Sequence, residues 1–159
     1  MKKIVLFALL GIVLASCQAN MAQKETKSTA PVSQLSDNQL MDKVQSDALK
    51  YFWDYAEPNS LLGRERYHED NIYPDNDKHV VTTGGSGFGL ATILVGVERG
   101  FIPRKEAVKR LTTMMNFLEK ADRFHGAWSH WINGETGKVV PFGRKDNGGD
   151  LVESAFLTS

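Results

Sequence analysis

The sequence predicts an all-α domain with one small β-hairpin set in a loop. Three observations carry this. Apolar residues recur at three- and four-residue steps in separate segments, Pro and Gly stand where those segments should start or stop, and only one pair of short runs flanks a turn cluster. From residue 37 to about 57 the apolar positions are Leu40, Val44, Ala48, Phe52 and Tyr55, with Pro58 as the stop. Residues 59–83 are polar and irregular, including the Pro-Asp-Asn-Asp run at 74–77, a loop long enough to be functional or to wrap a neighbour. TTGGSGFGL at 82–90 leads into an almost wholly apolar helix over 91–99 closed by Gly100, which is expected to be buried on several sides. Its small residues are expected to let the helix start approach another backbone closely, or else the backbone N–H groups at that helix N-terminus face an active-site cavity. Pro103 opens the next helix, with Ala107, Val108, Leu111, Met114, Met115 and Leu118 as one stripe, so the two helices form an αα-hairpin. Residues 128–132 and 138–142 flank Asn133-Gly134-Glu135-Thr136-Gly137 as the β-hairpin. Leu151, Val152, Ala155, Phe156 and Leu157 then begin a last apolar helix that reaches Ser159 without a stop signal.

The first residues speak of location. Residues 1–17 hold two lysines, an apolar run from Ile4 to Leu14, and then Ala15-Ser16-Cys17, the pattern of an export signal with a small-residue cleavage site. Cys17 is the sole cysteine, so no internal disulfide can form, and its place after small residues looks like a bacterial lipobox. Lipidation there implies an exported protein anchored to a membrane face, in the periplasm or at the cell surface. Residues 18–35, rich in Gln, Lys, Ser, Thr and Ala, read as a flexible tether, and residues 36–159 as the domain. Of 159 residues, 19 are basic and 19 acidic; without Lys2 and Lys3 the balance is 17 against 19, net −2, which argues against a nucleic-acid partner. About 125 residues lie beyond the tether, one modest domain.

Several chemistries find no support. The glycine-rich 82–90 segment fits neither GxGxxG nor GxxxxGK[ST], so no nucleotide is expected there. Asp75, Asp77 and His79 alternate as in a calcium loop, but Val80 stands where Gly is needed and Ser86 where a bidentate Glu is needed. His125 and His130 lack the cysteines or HExxH helix of a zinc site, and a hydrogen-bonding role is preferred. There is no GxSxG, and the cysteine is committed to export. No metal or cofactor is expected.

What remains is a carboxylate cluster. In GRKDNGGDLVESAFLTS, residues 143–159, Asp150 and Glu153 share one face of the new helix's first turn, and Asp146 arrives from the loop before it. Asp150 and Glu153 also satisfy a capping box, which needs no catalysis to explain it. Asp146 does not fit that box, and the Gly148-Gly149 pair would allow close backbone approach to a ligand. Beside the cluster lie Phe124, Trp128, Trp131 and Phe142, with Arg64, His130 and the acids as hydrogen-bonding partners. Flat aromatic faces with a polar rim suit pyranose rings, while ordinary packing explains them as well.

HVVTTGGSGFGLATILVGVERGFIPR, EKADRFHGAWSHWINGETGKVVPF and KDNGGDLVESAFL together resemble the bacterial glucoamylase-like family that contains the endo-β-1,2-glucanases, glycoside hydrolase family 144. The resemblance runs from about Leu35 onward. It implies an (α/α)6 toroid of twelve helices, of which this chain supplies roughly the first four, and an anomer-inverting cleavage of β-1,2-glucan by a monomer. Position by position, the family's candidate catalytic acids match Asp146, Asp150 and Glu153; Asn147 departs from the Asp expected in many relatives. Inversion needs carboxyls roughly 6.5–9.5 Å apart, whereas helical i,i+3 neighbours have Cβ atoms about 5–6 Å apart, so the base need not lie in this cluster and a place beyond Ser159 stays open. The expectation is that Glu153 or Asp150 is the general acid, its pKa raised by neighbouring carboxylates, with Asp146 orienting water or a hydroxyl. Trp128, His130, Trp131 and Arg64 are the expected substrate contacts. The activity named is that of the full-length parent; the competing reading is a lipoprotein that binds carbohydrate without hydrolysis, and for this chain in isolation the expectation is a truncated gene product that exposes the apolar faces of 91–97 and 151–157 and does not fold stably. The choice between internal cleavage and sophorose release from a chain end stays open.

Overall fold

The computed structural model describes residues 31–159. The signal, the Cys17 lipobox and the tether up to residue 30 lie outside the described residues. Two units are distinguished, Met1–Leu35 and Ser36–Ser159. In the first, the described end of the expected tether forms a short 3-10 turn, Val32–Gln34, closed by the Leu35 N–H on the Val32 carbonyl.

The second unit is mostly helical. Helix α1, Asp37–Trp53, starts in a complete capping box: Ser36 Oγ accepts from Gln39 N, and Gln39 Oε1 accepts from Ser36 N. The helix stops before the expected residue 57, because the backbone leaves it at Asp54 and delivers Glu57 into a buried polar network. Its apolar stripe is used unevenly. Leu49 is buried and Trp53 packs against the core, while Val44 remains 55% exposed.

Strand β1, Val80–Thr82, runs directly into helix α2, Thr83–Glu98, so the glycine-rich segment is itself helical rather than a lead-in. Thr82 is its N-cap and accepts from Gly85 N, and Gly100 at φ +73° closes its end. The small residues serve close packing, as expected. A Cβ on Gly87 would collide with the Phe156 carbonyl and lie 2.8 Å from Leu157 Cα, and one on Gly89 would lie 2.8 Å from the Phe52 ring. Gly87→Ala is therefore expected to cost about 1–3 kcal/mol, since backbone rather than a movable side chain stands in the way. A chemical denaturation midpoint equal to the parent's would refute this.

Helix α3, Arg104–Lys120, completes the αα-hairpin and buries Ala107, Met114 and Leu118. Val108 and Met115, placed in the same stripe by sequence, are exposed, because the contact runs along Ala107, Leu111, Met114 and Leu118, with Phe117 beside it. Burial of α2 on several sides is likewise not observed: Ile93 and Gly96 face the core, but Leu94 is 61% exposed and Phe88 and Val95 are also open. Phe88 nevertheless meets the Phe156 ring, centroids 5.5 Å apart.

The β structure differs from the single expected hairpin. Strands β2, Arg123–Phe124, and β3, Ala127–Trp128, form a hairpin around His125 and Gly126, both at positive φ, as a two-residue primed turn requires. Strand β4, Trp131–Asn133, pairs antiparallel with distant β1 in the register Val80↔Asn133, Val81↔Ile132, Thr82↔Trp131. The expected second limb contributes one bridge, Ile132↔Val139, with Asn133 N donating to Lys138 O and Val140 N to Trp131 O. Pro141 ends that pairing. Helix α4, Leu151–Thr158, packs on α2, and the core joins Leu49, Leu62, Val81, Ile93, Met114, Ile132 and Leu157.

Candidate active site

The β1–β4 pair brings the two ends of the site together. Because Thr82 opposes Trp131, the first turn of α2 lies against the 128–131 segment, where Thr83 N donates to His130 O at 3.0 Å and Thr83 Oγ1 to Ser129 O at 2.6 Å. On the other side, Ser154 Oγ accepts from Trp128 N at 2.9 Å and Asp150 N donates to Trp128 O at 2.7 Å, which ties the start of α4 to β3. Gly149 permits this docking: a Cβ there would lie 2.9 Å from Ala127 Cβ and 3.1 Å from two carbonyl oxygens. Gly149 thus serves a backbone approach within the protein. Gly148 itself has open space around it.

Three side chains converge at this junction. Asp150 caps α4, its Oδ1 accepting from Val152 N at 2.9 Å and Glu153 N at 3.0 Å, while Oδ2 lies 3.2 Å from His130 Nδ1. The Glu153 N–H holds the Asp150 carboxyl below the usual carboxylate range, helped by the Val152 N–H and the His130 ring against a smaller opposing effect of burial. This corrects the expectation of a raised Asp150: the cap donors stabilise its charged form, so it is unsuited to hold an acid proton. Glu153 does not close the capping box. Its Oε2 instead crosses to α2 and accepts from Gly84 N at 2.8 Å and Thr82 Oγ1 at 3.4 Å, 3.8 Å from His130 Nε2. Oε1 of Glu153 has no hydrogen-bond partner among the described residues.

His130 stacks on Trp131, ring centroids 3.8 Å apart and 23° from parallel, and Phe142 continues the row at 4.2 Å from Trp131. Phe142 is 55% exposed, so the aromatic row opens to solvent beside the carboxylates. The other expected site residues stand apart from this junction. Asp146 is exposed on a turn, where its N–H donates to Gly143 O, and its carboxylate makes no hydrogen bond to Asp150 or Glu153. Trp128 is pinned by Nε1 to Leu118 O at 3.1 Å and borders a cleft with Leu90, Met115 and Leu157, so its indole serves packing. Arg64 is buried, its guanidinium taken up by the Tyr55 and Lys78 carbonyls, which removes it from the role of a substrate contact. Sequence reasoning missed Thr82 and Gly84 as partners of Glu153; a Cβ on Gly84 would lie 2.6 Å from Oε2. Among the described residues no group of three or more His, Cys, Asp or Glu is arranged to hold a metal.

Known proteins share this arrangement of sequence. An exo-β-1,2-glucooligosaccharide sophorohydrolase (non-reducing end) of Parabacteroides distasonis is 51% identical over 141 residues, 88% of this chain and 18% of that protein. The endo-β-1,2-glucanase of Chitinophaga pinensis, solved with sophorotriose and glucose, is 59% identical with a TM-score of 0.75, over 77% of this chain and 29% of its own. The resemblance read from the sequence is borne out. A Bacteroides caccae structure with a provisional glucoamylase assignment is 61% identical at a TM-score of 0.75, covering 77% of this chain and 30% of that one. The chain therefore spans less than a third of the length of these glucoamylase-like and β-1,2-glucan-hydrolysing relatives, as the all-α fold matched over part of their length reflects. No family model matches the chain.

Proposed function

We propose that the protein hydrolyses β-1,2-glucan by an inverting acid/base mechanism in which Glu153 is the acid at this site. The observation that supports this most directly is the Glu153 carboxylate, anchored by one oxygen at the α2 N-terminus and free at the other, beside an open row of His130, Trp131 and Phe142. A proton on the free Oε1 can reach a glycosidic oxygen seated on the aromatic row, and stacked rings of this kind cover the apolar face of a pyranose. Asp146 stays on its own exposed turn, without a hydrogen bond to Glu153. Relatives named for endo and for exo action are both similar to this chain, so the proposal extends to the linkage and not to the mode of cleavage.

The test is product analysis of linear β-1,2-glucan incubated with the protein. A ladder of oligosaccharides indicates internal cleavage and sophorose alone indicates release from a chain end; affinity for the glucan without any product would favour a carbohydrate-binding lipoprotein. Gly84→Ala adds a precise control, because its methyl displaces the Glu153 anchor while alanine is a good helix residue. It is expected to lower kcat by about tenfold or more with little loss of thermal stability. Unchanged kcat would show that the anchor does not matter. We further propose export and lipid anchoring through Cys17, supported by the sequence pattern of residues 1–17. Labelled palmitate should be incorporated by the parent and not by Cys17→Ser.

A further inference from the structure

Asn-Gly steps occur twice in the chain, at Asn133-Gly134 and Asn147-Gly148, and the fold treats them in opposite ways. Asparagine before glycine is chemically labile, because the next backbone nitrogen can reach the side-chain Cγ when no Cβ crowds its approach. Reaction needs that nitrogen free and the carboxamide able to turn toward it. At Asn133 both are held. Its Oδ1 accepts from Glu135 N at 3.0 Å, Thr136 N at 2.9 Å and Thr136 Oγ1 at 3.1 Å, an Asx turn that fixes the carboxamide. Gly134 is buried, and its N–H donates to His79 O at 2.6 Å. Asn133 is also paired with Val80 in the β1–β4 ladder. None of this holds at Asn147. Asn147 and Gly148 are exposed, on the loop between the Gly143–Asp146 turn and α4. Among the described residues neither the Asn147 carboxamide nor Gly148 N has a hydrogen-bond partner. A Cβ on Gly148 would meet nothing within 4 Å, so the loop has room to turn.

We propose that Asn147 is a site of spontaneous deamidation, and that its isoaspartyl product loosens the start of α4. Gly148 N, its proton taken by water or hydroxide, attacks Asn147 Cγ. The N–Cγ bond forms, the Cγ–Nδ2 bond breaks, and the leaving nitrogen takes a solvent proton and departs as ammonia. The succinimide so formed takes up one water. Opening at Cγ gives an aspartyl residue, and opening at the main-chain carbonyl gives an isoaspartyl link. The net change is one water consumed and one ammonia released, with no redox step and no other reactant. Both products place a new carboxylate between Asp146 and Asp150. The isoaspartyl link also adds one carbon to the main chain two residues before Gly149, whose seat on Ala127 has no slack. That strain falls on the Asp150 N–H bond to Trp128 O, which ties α4 to β3. The chemistry is independent of what the protein hydrolyses.

The test incubates the full chain at mildly alkaline pH, digests it in acid, and follows the peptides holding Asn133 and Asn147 by mass spectrometry. Isoaspartate is read by methyltransferase labelling. Asn147 should deamidate about tenfold or more faster than Asn133, because Gly134 N must first leave its hydrogen bond. In denaturant the two rates should converge, since both sites are the same dipeptide. Gly148→Ala should slow the reaction at Asn147 several-fold with an unchanged melting curve, because Gly148 is not among the glycines at positive φ and the space for its methyl is empty. In the separated isoaspartyl fraction the Asp150 amide should exchange hydrogen several-fold faster than in Asn147→Asp, which carries the charge without the extra carbon. Three results overturn the site: equal rates at the two asparagines in buffer, an Asn147 that stays intact while the denatured chain reacts, or a Gly148→Ala protein that reacts as fast as the parent. An Asp150 amide equally protected in both forms overturns the loosening of α4.

Discussion

Glu153→Gln is expected to lower turnover of β-1,2-glucan by at least about 10²-fold while leaving the fold intact. The amide is isosteric, and its carbonyl oxygen can still accept the Gly84 N–H, so the contact between α4 and the start of α2 survives. What is lost is the ability to release a proton from the oxygen that has no hydrogen-bond partner among the described residues. KM should change little, because aromatic stacking on Trp131 and Phe142 is untouched. Circular dichroism and a melting curve that match the parent, together with lost product formation, are the expected pair of results. Full activity of the glutamine variant would remove Glu153 from the chemistry. Asp146→Asn is the natural comparison: exposed on its turn and unbonded to the other acids, it should act on turnover only if substrate itself draws that loop inward.

How far this site could be read from the sequence follows from chain separation. Asp150 and Glu153 are three residues apart on one helical turn, so their common face was legible. Their division of labour was not. A capping box predicts that Glu153 folds back, and it turns outward because Gly84, 69 residues earlier, offers a backbone N–H unshielded by a Cβ. The β1–β4 pairing that delivers Gly84 joins strands about fifty residues apart through a register no local pattern announces. Arg64 shows the opposite failure. An arginine in a long polar loop looks available, yet the bridge Arg64↔Val81 carries it inward, where two carbonyls consume its donors. The helices themselves were legible from periodicity, and α3 keeps Ala107, Met114 and Leu118 of its stripe in the core, whereas α1 buries Leu49, one position off the stripe of Leu40, Val44, Ala48 and Tyr55 that the sequence marks. The outer faces of α2 and α4 were read as apolar, and Leu151 at 80% exposure shows that apolar character alone does not establish burial.

Glu57→Ala is expected to be the most destabilising single change, by about 3–5 kcal/mol, because it strips a fully buried ionic network of its centre. Oε2 of Glu57 accepts from Asn59 N, Ser60 N and Ser60 Oγ at 2.7–2.9 Å, and Oε1 from Asn59 Nδ2 and, at 2.8 Å, the ring of His79. Removing the carboxylate leaves all of these without their partner, and the site sits directly under β1, which carries Thr82 to Glu153. Burial alone would raise the Glu57 pKa, but the Ser60 N–H, the His79 ring, the Ser60 hydroxyl and the Asn59 amide together outweigh it and hold the carboxyl below its usual value. The direction fixes the pH dependence. A carboxyl depressed in the folded state stabilises fully above its unfolded value of about 4.3, and that stabilisation is lost as pH falls through the folded value. Melting temperatures of the parent should therefore decline below roughly pH 4.3 more steeply than those of Glu57→Gln, which has no such proton to take up. Other depressed acids, Asp47, Asp122 and Asp150, contribute equally to both proteins, so the difference between the two slopes belongs to Glu57. Parallel slopes would mean that the folded protein does not hold the Glu57 carboxyl below its ordinary value.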